Sequence, residues 1–280
     1  MALSHGFFAH ARATATATAL FAASALALAC AAPAPVHRSH LGALLDTSPP
    51  ALDPTPQGRT DSDRQKAQAL LADGARLRDA GDLPASAHAL EQALQLDASL
   101  ARAHVEWALT AEGLGVSPEL INAHYQLGAR LAPDDARAQT LAAAWAARQG
   151  DSDRALEGYD RALSIDPKST DALARKGDLL EAKNDHAGAV TSYQQALALD
   201  AKYVPALIGM SDAAEHAGRL DVAEKTALDL VAALPDVPLY RTRLIEFYRR
   251  TNQPAKAAAA QRELDKLDPK DSRHLRKLRR

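Results

Sequence analysis

The side chains in this sequence that could do chemistry are one cysteine, Cys30, ten histidines and a large supply of carboxylates, and their spacing excludes most reactions. A lone thiol makes neither an intrachain disulfide nor a Cys-rich metal centre. His88, His104, His124, His186, His216 and His274 fall mostly in different stretches of the chain, and isolated histidines on helices read as packing or surface residues. His37 and His40, in the run His-Arg-Ser-His, lack the further ligands that zinc needs. There is no P-loop, no GxGxxG after a strand, no GxSxG and no HExxH. Most carboxylates occupy turns, helix caps and solvent faces. The expectation is therefore a protein with no catalytic residues, no cofactor and no metal ligands.

Cys30 is informative through its position. Residues 13–29 are uncharged and rich in Ala, Thr and Leu, behind a start whose one firm positive charge is Arg12. A modest positive region, an apolar run and small residues at the end describe a secretory signal peptide, predicted over 1–29. The end, Leu26-Ala27-Leu28-Ala29-Cys30, resembles the bacterial lipobox, with Ala27 where the preferred pattern has Leu. That resemblance implies lipidation of Cys30, and Ala31 in place of Asp implies the outer membrane. Two or more acyl chains give durable anchoring. The alternative is a soluble periplasmic or secreted protein.

Residues 30–61 follow as a linker. Pro33, Pro35, Pro49, Pro50, Pro54 and Pro56 with intervening Ser, Thr and Gly cannot bury enough apolar surface to order themselves, and proline stiffens the chain into a spacer.

What must position any site is set by a period. Gly81, Gly115, Gly150, Asn184, Gly218 and Asn252 succeed one another at spacings of 34, 35, 34, 34 and 34 residues. Gly and Asn take positive φ most readily, so each is a natural turn between two helices. Recurrence at that period predicts a repeat array over 62–271, with units at about 67–100, 101–135, 136–169, 170–203, 204–237 and 238–271. Ser62 or Asp61 is placed to cap the first helix. Small residues recur in the first helix of the units (Gly74, Ala108, Ala143, Gly177, Ser211). They recur again in the second (Ser86, Ala155, Ala189, Ala223, Ala257, then Ala93, Gly128, Ala162, Ala196). A bulky residue stands between them at Leu90, Tyr125, Tyr159 and Tyr193, and Pro133, Pro167, Pro235 and Pro269 close units.

In these positions the chain resembles the tetratricopeptide repeat family. The fold this implies is all-α: a right-handed solenoid of about six helix-turn-helix repeats. Small residues let helices cross closely, and the bulky one fills the gap to the next unit. Ile121, Ile245, Leu230 and Leu264 depart from the small-residue pattern, and Ala98 and Ala201 replace the closing proline. Ile121 goes with the 35-residue unit, whose second helix is expected to be displaced by one residue.

The resemblance also implies a binding face, a concave groove lined by the first helices. Position by position, units one to three contribute Gln68, Leu71, Arg78, Arg102, Val105, Leu109, Arg137 and Arg148, with Asp79 and Glu112. Units four and five contribute Asp171, Asp178, Glu181, Asp212 and Glu215, with Ile208, and unit six Leu239, Glu246, Arg249 and Arg250. The groove is expected to run from basic through acidic to mixed and to receive protein or peptide segments of complementary charge. Leu71 and Ala75 occupy places where the chaperone-binding subtype carries two of its carboxylate-clamping residues, so that subtype is excluded.

At the C-terminus, Lys270, Arg273, Arg276, Lys277, Arg279 and Arg280 oppose only Asp271, giving a basic cap over 272–280. Formal net charge is −2, so no bulk basicity argues for nucleic acid. The function expected is a non-catalytic adaptor for protein–protein interaction in the bacterial cell envelope, in the manner of proteins that help assemble pili, secretion systems or outer-membrane machinery. The alternatives are a self-associating scaffold and a soluble periplasmic accessory to a cell-wall or polysaccharide enzyme. The sequence leaves the oligomeric state open.

Overall fold

The computed structural model describes residues 60–267. The signal peptide, Cys30, nearly all of the linker and the basic cap lie outside the described residues. The described residues fold as twelve helices with no strand among them. In chain order these are α1 (Asp61–Asp79), α2 (Leu83–Leu96), α3 (Ala101–Leu114), α4 (Pro118–Leu131), α5 (Ala136–Arg148) and α6 (Ser152–Ile165). They continue as α7 (Thr170–Ala182), α8 (His186–Leu199), α9 (Val204–His216), α10 (Leu220–Ala233), α11 (Pro238–Arg250) and α12 (Pro254–Leu267). Odd-numbered helices are the first and even-numbered helices the second members of six pairs.

Each pair is closed by one of the six periodic turn residues, all with positive φ: 84° at Gly81, 70° at Gly115, 83° at Gly150, 62° at Asn184, 72° at Gly218 and 56° at Asn252. The backbone around each is a Schellman closure. The N–H of the residue after the positive-φ one returns to a carbonyl five residues back, as in Asp82 to Leu77 (3.0 Å) and Asp185 to Leu180 (2.9 Å). In most turns the residue that makes this bond also begins the next helix. Asp82, Asp151 and Asp185 each accept from a backbone N–H inside the second helix. The 35-residue unit differs here. Val116 closes α3 through Ala111 (3.4 Å), and a separate residue, Ser117, caps α4. The extra residue is thus Val116, buried in the turn, and it displaces α4 by one position as expected.

The first helix is capped by Thr60, not by Asp61 or Ser62. The Thr60 hydroxyl accepts from the Asp63 N–H while the Asp63 carboxylate accepts from the Thr60 N–H, a reciprocal capping box. Between units, Asp97, Asp166 and Asp200 each accept a hydrogen bond from the N–H two residues on, at 2.9–3.0 Å. The same turn therefore forms with Ala98 or Ala201 as with Pro167, because the aspartate supplies the closing bond.

Close helix crossing explains the small residues. A Cβ added at Gly74 would stand 2.6 Å from Leu90 Cγ, and one at Gly177 would stand 2.6 Å from Tyr193 Cε1. Ser86 is fully buried and donates to the Gly74 carbonyl at 2.7 Å. Leu90, Tyr125, Tyr159 and Tyr193 are all buried, as the pattern requires. Ile121 and Ile245 are buried too. The register position that carries Leu90 in unit one and a tyrosine in units two to four is Ala227 in unit five and Gln261 in unit six, where the buried Ile245 stands on the facing helix. The first helices α1, α3, α5 and α7 each touch the next first helix directly, so five run in contact from α1 to α9, while each second helix packs between its own partner and the next unit's first helix. The first helices thereby form one continuous layer.

Candidate functional site: the layer of first helices

The layer is stitched by polar contacts that recur at about one unit's spacing. Glu106 on α3 is the most buried of them, its side chain only 1% exposed. Arg78 on α1 pairs with one of its oxygens, Arg137 on α5 donates to the other at 2.9 Å, and Arg102 approaches at 3.7 Å. A carboxylate removed from water is tolerable only with such compensation. Arg148 on α5 reaches back to Glu112 on α3 at 2.6 Å, and Tyr125 donates to the same carboxylate. Burial and that neighbouring anion both push the Tyr125 hydroxyl pKa well up. Arg148 also lies over the Trp145 ring, 5.3 Å from its centroid.

Farther along, Asp171 accepts from Arg175 at 2.9 Å and from Tyr203 at 3.3 Å. Asp178 accepts from the Tyr193 hydroxyl at 2.6 Å; packing around that bond raises its carboxyl pKa, and burial raises that of Tyr193. Between α9 and α11, Asp212 pairs with Arg243 at 2.5 Å and Glu215 makes a two-pronged pair with Arg250, both bonds 2.8 Å. The Arg250 guanidinium holds the Glu215 carboxyl below its ordinary range.

These contacts change the charge pattern expected from sequence. Arg78, Arg102 and Arg137 are gathered on Glu106, Arg148 on Glu112, and Asp212 and Glu215 on arginines of α11. Much of the charge counted as free is spent within the layer. Among the groove carboxylates of units four and five, Asp171, Asp212 and Glu215 pair with arginines, whereas Asp178 is held by Tyr193 and Glu181 by two histidines. Arg249 and Leu239 stand exposed near the end of the layer.

Histidines that looked scattered are brought together in two places. His104 and His124 are buried with their Nδ1 atoms 3.1 Å apart. His104 donates from Nε2 to the Ala98 carbonyl at 3.0 Å, which leaves its Nδ1 to accept from His124. Trp107 stacks on His124 with centroids 4.1 Å apart. Burial lowers both pKa values, that of His124 to about 3, so the pair is neutral and structural. The second group is Glu181, His186 and His216. Sequence reading missed Glu106, Arg243 and these pairings. The one available signal for Glu106 was register: it lies 28 residues after Arg78 and 31 before Arg137, close to one unit from each.

On the side of the second helices, α4, α5 and α6 enclose a cavity of about 190 Å³ lined in part by Arg130, Arg154 and Arg161. None of the three pairs with a carboxylate among the described residues; Arg161 donates to Gln139 at 3.3 Å. No described helix is long and apolar enough to cross a membrane.

Comparison with known proteins agrees with this architecture. Two tetratricopeptide repeat models match, over residues 141–204 and 180–242. No curated protein matches in sequence. Among solved structures, PilW, described as a widely conserved type IV pilus biogenesis factor, superposes with a TM-score of 0.65 at 16% identity over 75% of this chain and 96% of its own. PilF of Pseudomonas aeruginosa gives 0.64 at 16% identity over 75% and 95%. MamA of Desulfovibrio magneticus RS-1 gives 0.53 at 20% identity over 60% and 95%. At these identities the likeness is one of fold. With its six turn residues in the left-handed region, small residues at most of its close crossings and two repeat models on residues 141–242, the chain is built as a tetratricopeptide repeat solenoid.

Proposed function

We propose that this protein is a non-catalytic docking adaptor of the bacterial cell envelope, tethered through a lipid on Cys30 and receiving protein segments on its layer of first helices. The observation that carries the docking reading is the continuity of that layer. Five successive first helices touch one another, and contacts between units hold their polar side chains in fixed positions. A surface prepared in this way loses little side-chain entropy when a partner lies along it. The other named groove positions, Gln68, Leu71, Leu109, Ile208, Glu246 and Arg249, complete it; Val105, expected there too, is instead buried against Gly128 of α4 and does not line the surface. The acidic stretch at Asp178 and Glu181, without Lys or Arg partners among the described residues, favours a partner segment with basic residues there.

The fold shared with PilW makes assembly of pili the first kind of machinery to examine, ahead of secretion or outer-membrane systems. That step rests on architecture alone. The leader pattern supports export, and the lipobox-like end supports anchoring.

Two experiments test the two halves. For docking, partner recovery from the native host is compared between the parent, Asp178→Lys/Glu181→Lys, and a control with equal charge change on α6, Asp153→Lys/Asp160→Lys. Recovery should fall about tenfold or more only in the first variant; unchanged recovery removes the acidic stretch from the binding surface. For anchoring, metabolic labelling with a fatty-acid analogue should mark the parent and not Cys30→Ala. A parent without label rules the tether out and leaves the soluble periplasmic reading.

A further inference from the structure

Glu181 on α7, His186 at the start of α8 and His216 at the end of α9 come from two successive units, and one ligand atom from each lies within 4.8 Å of the others. His186 Nδ1 is 2.9 Å from one oxygen of Glu181 and His216 Nδ1 is 2.5 Å from the other. The rings are tilted by 51° with centroids 5.1 Å apart. The Glu181 and His186 side chains are 20% and 29% exposed and that of His216 is 58% exposed, so the group opens to solvent on one side.

We propose that Glu181, His186 and His216 form a binding site for a divalent transition-metal ion of the zinc class. Two imidazole nitrogens and one carboxylate oxygen suit Zn²⁺, Ni²⁺ or Cu²⁺, whereas Mg²⁺ and Ca²⁺ prefer oxygen throughout. Ligand bonds of about 2.0–2.2 Å place the donors of a tetrahedral ion about 3.3–3.5 Å apart. The two imidazole–carboxylate separations are a little shorter than that and all three donors lie within 4.8 Å of one another, so shifts of side-chain tips bring them into place. The ion replaces the hydrogens now shared between the rings and the carboxylate. Each ring then offers the Nδ1 lone pair and keeps its remaining proton on Nε2. Asp212 and Glu215 lie close enough to His216 to act on its charge. Although both are paired with arginines of α11, they add carboxylates around the approach of a cation. Three protein ligands leave a fourth position for water or for a donor from another molecule.

The site differs from the docking reading in what it does. It joins three helices of units four and five, so an ion there clips α9 onto the α7–α8 pair. Ligation that occurs only in the folded state stabilises it by mass action.

The test uses the full-length chain, treated with a chelator and then dialysed. Calorimetric titration with ZnCl₂, together with the visible absorption of the Co²⁺ form, is run on the parent and on His186→Ala/His216→Ala. The parent should bind one more equivalent than the variant, give a cobalt spectrum with nitrogen ligands, and melt at a higher temperature with zinc. Glu181→Gln keeps the shape of the side chain and should weaken zinc binding by about tenfold or more; it carries the test should the double variant fail to fold. Equal stoichiometry, equal zinc-induced melting shifts and equal cobalt spectra in parent and variants would overturn the proposal. Ca²⁺ bound as tightly as Zn²⁺ would overturn it as well. Zinc binding is read on His186→Ala/His216→Ala, which leaves Asp178 and Glu181 in place, so a failure of the metal site is distinguishable from a failure of the docking surface although Glu181 belongs to both.

Discussion

Tyr193 donates its phenolic hydrogen to Asp178 at 2.6 Å while its ring lies directly against Gly177, the residue before Asp178. One side chain thus fixes both the spacing and the register of α7 against α8. A Cβ at Gly177 would stand 2.6 Å from Tyr193 Cε1, with Cζ and Cδ1 also inside 3.0 Å. Gly177→Ala should therefore destabilise by about 1–3 kcal/mol through overpacking. Tyr193→Phe keeps the ring and should cost only about 0.5–1.5 kcal/mol, the worth of one hydrogen bond. Urea unfolding followed by far-UV circular dichroism checks the order of the two.

The turns allow a cleaner backbone test. At Gly150 φ is +83° and an added Cβ would meet nothing within 4 Å, so Gly150→Ala feels conformation alone. The expected cost is about 1–2 kcal/mol, and Gly150→Asn should cost clearly less, since Asn184 and Asn252 already hold φ of 62° and 56° at the equivalent place. Thermal melts of the two variants decide it. Equal losses would mean that the turn is not what limits the residue choice.

The arginines around Glu106 should not be equal. Arg78 is 21% exposed and in direct contact with the buried carboxylate, whereas Arg102 is 67% exposed at 3.7 Å. Arg102→Ala should change stability by less than about 1 kcal/mol, as exposed pairs do. Arg78→Ala should cost more, about 1–3 kcal/mol, because it leaves a buried carboxylate under-compensated. Chemical unfolding of both in one buffer measures the difference.

Acid should weaken the fold through His104 and His124. Burial depresses both folded pKa values, His124 to about 3, while the unfolded chain takes a proton near 6.5. The unfolded state then binds more protons than the folded one as the pH falls below 6.5. For His124, stability present above pH 6.5 is lost through the interval down to about 3, at up to about 1.4 kcal/mol per pH unit, and His104 adds a loss in the same direction. Unfolding free energies measured between pH 7.5 and 4.5 should fall less steeply in His124→Phe than in the parent. Parallel slopes would mean that other groups govern acid sensitivity.

What could be read in the sequence, and what could not, divides along a physical line. The Gly and Asn turns were legible because positive φ is a demand made on one residue. The small residues at 74, 86, 155 and 189 were legible because close crossing repeats at the same place in each unit. The α1 cap was displaced because Thr60, Asp61 and Ser62 are all competent caps, and only the three-residue reach from Thr60 to Asp63 selects among them. Glu106 looked like any helical carboxylate. Its burial depends on α1 and α5 converging on α3, a three-body arrangement that no local pattern encodes. The groove charges were assigned to the expected face, but sequence could not show that units pair them off across 28 to 36 residues. His186 and His216, 30 residues apart, were read as isolated for the same reason.

The most direct test of the docking claim is a map of contacts in the native host. A photo-crosslinking amino acid is placed singly in the full-length chain at Gln68, Arg102 and Leu239 on the first helices, and at Arg154 and Lys225 on the second. The account predicts that the first three capture the same protein and that the last two capture none of it. Capture from Arg154 and Lys225, with silence at Gln68, Arg102 and Leu239, would contradict it.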